Sequence, residues 1–252
     1  MKKDGAGGLK NHKVVSHDEW LAARRELMVK EKELTRARDA ISEARRALPW
    51  ERVEEQYVFE GPDGTETLDQ LFHGRSQLVV YHAMFNPATA TPNTPWTKDA
   101  ACQSCSFWMD NFNGIVVHLN HRDVTMIAVS IAPYDKIAAY QKRMGWGFKW
   151  VSSGSARFNF DYGVSFTADA LARPRINYNY GESGARLSEL PGVSVFHKDP
   201  SGTVLHTYSS YARGIDMLNV AYNYLDLVPK GRDENENGQS WVRRHDEYED
   251  TQ

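Results

Sequence analysis

Residues 102–120 read "CQSCSFWMDNFNGIVVHLN" and open with the only two cysteines of the chain, Cys102 and Cys105. The run before them, "QLVVYHAMF" at residues 77–85, is apolar and has the length of a buried strand. Between the two lies "NPATATPNTPWTKDAA", residues 86–101, whose three prolines mark a long loop. From Cys102 onward Phe107, Trp108, Phe112, Ile115 and Val116 recur at helical spacing, so one helix is expected to start at the cysteines, with a kink at Gly114. Random placement would bring two cysteines to this spacing only about once in a hundred arrangements. The pair therefore sits at a strand-to-helix junction, and its position suggests chemistry.

A helix N-terminus presents free N–H groups and the positive end of the helix dipole, which favour a thiolate over a thiol. Cys102, the first of the pair, is expected to be the nucleophile. Cys105, one turn on, is placed to resolve a mixed disulfide from within, because its attack is intramolecular. A structural disulfide is a poor alternative, since so short a loop constrains the unfolded chain little. His118 and His121 complete most of a zinc-finger spacing, but on a helix starting at the cysteines His118 would lie about 20 Å away.

Working outward, residues 1–15 are polar and Gly-rich and are expected to be disordered. "SHDE" then offers a capping box, Ser16 with Glu19, ahead of a helix over residues 16–49. Trp20, Leu27, Leu34, Ile41 and Leu48 recur every seventh residue along it, a narrow stripe suited to lying on the chain's own domain or to pairing with a second copy in a homodimer. Residues 50–229 alternate strands and helices and form the main domain. "VTMIAVS" is a central strand, "APYDKIAAYQKRMGW" an amphipathic helix, and "GVSVFHKDPSGTVLHTYSSYA" a hairpin turning at "DPSG". Residues 168–190 read as a polar surface insertion and "GIDMLNVAYNYLDLV" as one last helix, before a charged tail over 230–252 that is expected to be peripheral, with Trp241 as its anchor. The layout is α/β, a central mixed sheet with helices on both faces plus the long N-terminal helix.

Composition narrows the partners. The chain has 252 residues, with 30 Lys and Arg against 33 Asp and Glu and a net charge of −3. That balance argues against nucleic acid and anionic membranes as partners. No apolar run is long enough to span a bilayer and no signal peptide is visible, so a cytoplasmic location is the default expectation.

The order "DGTETLDQLFHGRSQLVVYHAMF", loop, "CQSC" opening a helix, "VTMIAVS", helix, then "LPGVSVFHKDPSGTVLHTY" resembles the thioredoxin fold. The span from Ser16 to Tyr248 resembles, more narrowly, the thioredoxin-like domain-of-unknown-function family eight-nine-nine. The stretches "SCSFWMDNFNGIVVHLNHRDVTMIAVS", "GWGFKWVSS", "DYGVSF", "TYSSYARGIDMLN" and "WVRRHDEY" carry that likeness. The resemblance implies a thiol–disulfide oxidoreductase that needs no cofactor and acts on an oxidised thiol substrate or a reducing partner protein. It also places Pro191 where thioredoxins hold a cis proline facing the cysteines. Trp108 and Arg213 join Pro191 as expected substrate-binding residues.

Two alternatives follow from the same fold. Some thioredoxin-fold proteins hold copper between two cysteines and a distant histidine, and soft thiolates favour Cu(I). Here the set would be Cys102 and Cys105 with His206 or His82. Peroxiredoxins carry P-x-x-x-[TS]-x-x-C. Pro95 matches that motif, but Asp99 stands in the hydroxyl position, and Arg213 would be the thiolate's support in a peroxidase.

Overall fold

The structure is a computed structural model that describes residues 12–154, 156–234, 236 and 238–249. The disorder expected over residues 1–15 falls outside the described residues as far as residue 11. The chain divides into two compact units, Met1–Pro49 with Tyr224–Asp233, and Trp50–Asn223 with Glu234–Gln252.

The first unit is built on α1 (His17–Arg46). Ser16 Oγ accepts from the Glu19 amide at 3.3 Å while the Glu19 carboxylate accepts from the Ser16 amide at 3.1 Å, closing the expected capping box. Asp18 and Glu19 occupy the first turn and Arg45 and Arg46 the last, which complements the helix dipole. The stripe residues Trp20, Leu27, Leu34, Ile41 and Leu48 are all exposed.

The second unit carries the sheet. Its strands are β1 (Glu51–Arg52), β2 (Val58–Gly61), β3 (Gly64–Thr67), β4 (Gln77–His82), β5 (Val124–Ser130), β6 (Lys149–Ser152), β7 (Ile176–Tyr178), β8 (Gly181–Ser183), β9 (Gly192–Lys198) and β10 (Val204–Tyr211). The helices are α2 (Gln103–Met109), α3 (Phe112–Asn120), α4 (Tyr134–Arg143), α5 (Phe158–Asp161), α6 (Ala168–Ala172) and α7 (Val220–Leu225), the last of which crosses into the first unit. Eight strands form one mixed sheet in the order β1-β10-β9-β4-β5-β6-β2-β3. β4, β5 and β6 run parallel, while β9 is antiparallel to β4 and to β10. This is the expected thioredoxin-like arrangement: a central strand, the cysteine-bearing helix after it, a parallel neighbour, and a final hairpin on its other side.

Alternation along β4 explains the layering, because successive side chains point to opposite faces. Leu78 and Val80 enter an aromatic and aliphatic core with Phe59, Phe72, Ile127, Val129, Phe158 and Phe196. His82 follows them and packs on Phe158, at 5.5 Å between ring centroids. Tyr81 points the other way, edge-on to Phe112 of α3 at 5.4 Å. There α4 adds Ile137 and Tyr140, and Tyr140 meets Trp146 and Trp150.

Three local expectations are corrected. The helix from Cys102 breaks at Asp110–Asn111 rather than kinking at Gly114, which lies inside α3. Asn111 donates its side-chain amide to the carbonyls of Phe107 and Trp108, offering the last turn of α2 an alternative to continued helix. The last expected helix is also divided, into a 3₁₀ stretch Ala212–Leu218 and α7. Buried Asn219 separates them, with extended backbone, and its side-chain oxygen accepts from the Tyr222 amide at 3.0 Å as an N-cap does. Residues 168–190, expected to be a surface insertion, contain α6 and the β7–β8 hairpin and bury Ile176 and Glu189.

Candidate functional site

Past β4 the chain continues in register, with the Ala83 amide donating to the Val129 carbonyl at 2.9 Å, and then leaves the sheet. Met84 comes next and holds both ends of the cysteine segment. Its carbonyl accepts from the Cys102 amide at 3.0 Å, and its own amide donates to Cys105 Sγ at 3.3 Å. The loop returns to this point because Trp96 is fully buried and the Pro95 carbonyl accepts from the Gln103 amide at 3.2 Å. Cys102 is the N-cap of α2, with φ −52° and ψ 133°, and its carbonyl accepts from the amide and the hydroxyl of Ser106 at 2.9 and 2.8 Å. Ser106 Oγ is bound in turn to Tyr140 Oη at 2.8 Å. Both sulfurs are enclosed, each cysteine being only 1% exposed.

The two thiols differ in their surroundings. Burial works against a Cys102 thiolate, but hydrogen bonds from the Cys105 side chain and from the Cys105 and Ser104 amides, with the charge of Arg244, bring the thiol below its usual value. Cys105 moves the other way. Burial, and then its hydrogen bond to Cys102 and the charge there, push it well up, while the Met84 amide and the Tyr81 hydroxyl pull it back. One negative charge shared by the pair thus rests on Cys102.

Three residues that sequence reasoning missed complete this environment. Tyr81 is fully buried, its hydroxyl has no hydrogen-bond partner, and it lies beside the Cys105 sulfur. Glu189, 2% exposed, accepts from the Phe85 amide at 2.8 Å and from Ser165 Oγ at 3.0 Å. Burial pushes its carboxyl up to about 8; the two donors oppose this, and a charge on Cys102 adds to it. Arg244, from the charged tail, is buried, hydrogen-bonded to the Ala101 carbonyl and stacked at 5.9 Å over the Tyr140 ring. The tail is therefore not peripheral here. Nothing in "LSELPG" or "WVRRHDEY" marks these side chains as internal.

A pocket of about 230 Å³ reaches Cys105, which lines it with Trp108, Pro191 and Arg213, together with Tyr81 and Ile215. Trp108 is fixed by its indole N–H, which donates to the Ile215 carbonyl at 3.0 Å. The cis form that the resemblance implies for Pro191 is not found, since no peptide bond among the described residues is cis. The Arg213 side chain is 88% exposed and paired with Asp216 at 3.4 Å; the charge acting on Cys102 comes from Arg244 instead. Asp99 is exposed and ion-paired with Lys136 at 2.6 Å.

The copper set is not brought together. His82 Nε2 bonds Ser194 Oγ at 2.9 Å, Ser194 Oγ bonds Ser209 Oγ at 2.8 Å, and His206 Nε2 bonds Ser209 Oγ at 2.8 Å, a polar chain running across β9 and β10. His82 lies on the face of β4 opposite Tyr81 and Cys105. Among the described residues no three His, Cys, Asp or Glu side chains gather to hold a metal ion. No described helix is long and apolar enough to cross a membrane.

No match was found among curated proteins. Solved structures similar to this chain include a peroxiredoxin Q of Xanthomonas campestris, at 16% identity and a TM-score of 0.41, covering 71% of this chain and 99% of that one. Peroxidoxin BcpB of Mycobacterium tuberculosis is 13% identical with a TM-score of 0.41, over 67% of this chain and 92% of its own. A yeast mitochondrial 1-Cys peroxiredoxin is 16% identical with a TM-score of 0.40, over 71% and 78%. Residues 9–248 match the model of a family described as bacterial protein of unknown function, and the chain belongs to that family, DUF899.

Proposed function

We propose that this protein is a thiol redox protein in which Cys102 and Cys105 interconvert between a dithiol and a disulfide. The observation that carries the reading is the placement of Cys102 as N-cap of α2, one turn before Cys105, where backbone amides and Arg244 favour its thiolate. In the oxidising direction the dithiol reduces a substrate disulfide, R–S–S–R, to two thiols and becomes the Cys102–Cys105 disulfide; two electrons and two protons pass to the substrate. The native mass of protein purified without reductant or chelator tests this. The oxidised and reduced forms should differ by two hydrogens and carry no metal. A copper or zinc ion that stays bound until the cysteines are alkylated would overturn the reading.

A hydroperoxide is the second candidate oxidant, favoured by the burial of both sulfurs, which only a slender molecule reaches. A thiolate would attack the terminal oxygen and release an alcohol, and the second thiol would then displace water from the sulfenic acid to form the same disulfide. Stopped-flow comparison of a small disulfide with a small hydroperoxide separates the two, the true oxidant forming the disulfide faster at equal concentration.

A further inference from the structure

We infer that Cys105, not Cys102, is the sulfur that exchanges with substrate: a low-molecular-weight thiol or disulfide enters the pocket bounded by Tyr81, Trp108, Pro191 and Ile215 and bonds to Cys105, with Cys102 as the inner partner. The inference rests on the dithiol reading above and reverses the order expected from the helix terminus alone.

Access is the first ground. The pocket wall includes Ser104 and Cys105 but not Cys102. Cys102 is 1% exposed, its amide held by the Met84 carbonyl and the preceding carbonyl by Arg244, and it lies within the electrostatic reach of buried Glu189. The second ground is hydrogen bonding. A sulfur that changes partners passes through states with charge spread over it, and donors aimed at that charge stabilise them. Cys105 has one, the Met84 amide at 3.3 Å, and the Tyr81 hydroxyl, buried and without a hydrogen-bond partner, lines the same pocket and is free to turn its proton to that charge. The third is the leaving group. Attack on a disulfide expels the other sulfur, and the more stable thiolate leaves faster. Attack at Cys105 expels Cys102, the thiolate that the Cys105 and Ser104 amides and the Arg244 charge favour against its burial; attack at Cys102 would expel the disfavoured one.

In the reducing direction a thiolate RS⁻ forms a bond to Cys105 Sγ, the Cys102–Cys105 bond breaks, and Cys102 departs with the electron pair. A second RS⁻ attacks the outer sulfur of the mixed disulfide, releasing R–S–S–R and a Cys105 thiolate that takes a proton from water. A pocket of about 230 Å³ has room for a molecule of about eight heavy atoms, at roughly 30 Å³ each. Trp108 and Ile215 supply apolar walls, so a thiol with a short aliphatic body fits better than a strongly charged one.

The test uses 2-mercaptoethanol and its disulfide on the full chain, with Cys102→Ser and Cys105→Ser as single-cysteine variants and intact mass as readout. Cys102→Ser should gain one mercaptoethanol adduct on Cys105, and Cys105→Ser should react roughly tenfold or more slowly. Tyr81→Phe on the Cys102→Ser background should slow the adduct severalfold. In wild-type protein, oxidised and then acid-quenched early in reduction, peptide mapping should find the mixed disulfide on Cys105, which needs no substitution. An adduct on Cys102 in that mapping, or faster reaction of Cys105→Ser, overturns the inference while leaving the dithiol reading intact. Absence of any two-hydrogen interconversion in the wild type removes both. If a small protein such as reduced thioredoxin outpaces mercaptoethanol at equal thiol concentration, the assignment of a small substrate fails.

Discussion

Arg244 donates two hydrogen bonds to the carbonyl of Ala101, from Nη2 at 2.6 Å and from Nε at 3.1 Å, across 143 residues of sequence. Ala101 immediately precedes Cys102, so a side chain from the C-terminal segment fixes the peptide that opens α2. Glu247 holds the same guanidinium at 3.0 Å.

Replacing Arg244 by Ala leaves a buried carbonyl without its donor, at a cost of about 2 kcal/mol, visible as a lower urea midpoint. It also removes a positive charge from the Cys102 thiolate, so on a Cys105→Ser background, where Cys102 is the only thiol, the pH midpoint of alkylation by iodoacetamide should rise. Arg244→Lys should restore part of the alkylation midpoint but not the urea midpoint, because an ammonium cannot reproduce the two-pronged contact. An alkylation profile unchanged in Arg244→Ala would remove Arg244 from the site's electrostatics.

Stability should show a plateau in pH, set by two buried groups of opposite sign. The Glu189 carboxyl keeps its proton up to about 8 in the folded chain against 4.5 when free, chiefly because it is buried. Between those values the folded state binds more protons than the unfolded one, and stability falls as pH rises, by up to about 1.4 kcal/mol per pH unit. His82, pushed down to about 3 from 6.5 by burial, stays neutral while the unfolded chain takes up a proton, so its contribution is lost as pH falls below 6.5. From 4.5 to 6.5 the two slopes cancel. Urea midpoints across pH should be flat there and fall on both sides, and Glu189→Gln should flatten the alkaline limb. If the alkaline slope survives that substitution, Glu189 is not its source.

A methyl group at position 192 has no room. A Cβ there would meet Tyr211 ring carbons at 2.7 and 2.9 Å and Val164 Cγ1 at 3.1 Å. Gly192 follows Pro191 and pairs with both His82 and Tyr211 across the sheet, so neither side can yield without moving a strand. Gly192→Ala should cost about 1–3 kcal/mol. Because Pro191 lines the pocket, the variant should also lose thiol exchange by more than its lost stability explains, measured well below the unfolding midpoint.

Phe158 lies in the core opposite the cysteine face, within 5.0 Å of the Tyr57 and Phe59 ring centroids and 4.7 Å of Tyr162. Phe158→Ala should destabilise by about 3–5 kcal/mol in denaturant titration. Alkylation of Cys102 in the protein that remains folded should be unaffected, since the sheet separates the two layers.

The strand run "QLVVYHAMF" and the cysteine pair at a helix start were legible in the sequence because both are local patterns, an apolar period and a spacing. They sufficed for the layering of the main unit, and Trp108, Pro191 and Arg213 do meet in one pocket wall. Less legible were the helix breaks at Asn111 and Asn219, where an amide side chain competes with the backbone in segments whose apolar period continues through. Least legible were Glu189 and Arg244, polar residues in polar stretches. Burial of such groups depends on partners far away in sequence, Phe85 for one and Ala101 for the other. Tyr81 was visible only as one more apolar residue of a strand.

The strand β1 is two residues long, Glu51 and Arg52 set against His206 and Leu205, and both of its residues are exposed. It covers only one end of the eight-residue strand β10 and offers almost no free backbone of its own for another chain to join, and its charges resist apolar contact. At that end of β10 its two charges make the docking of a further strand unfavourable. Exchanging Glu51 and Arg52 for Val would remove that charge, and the variant should precipitate at concentrations where the unaltered chain stays dispersed.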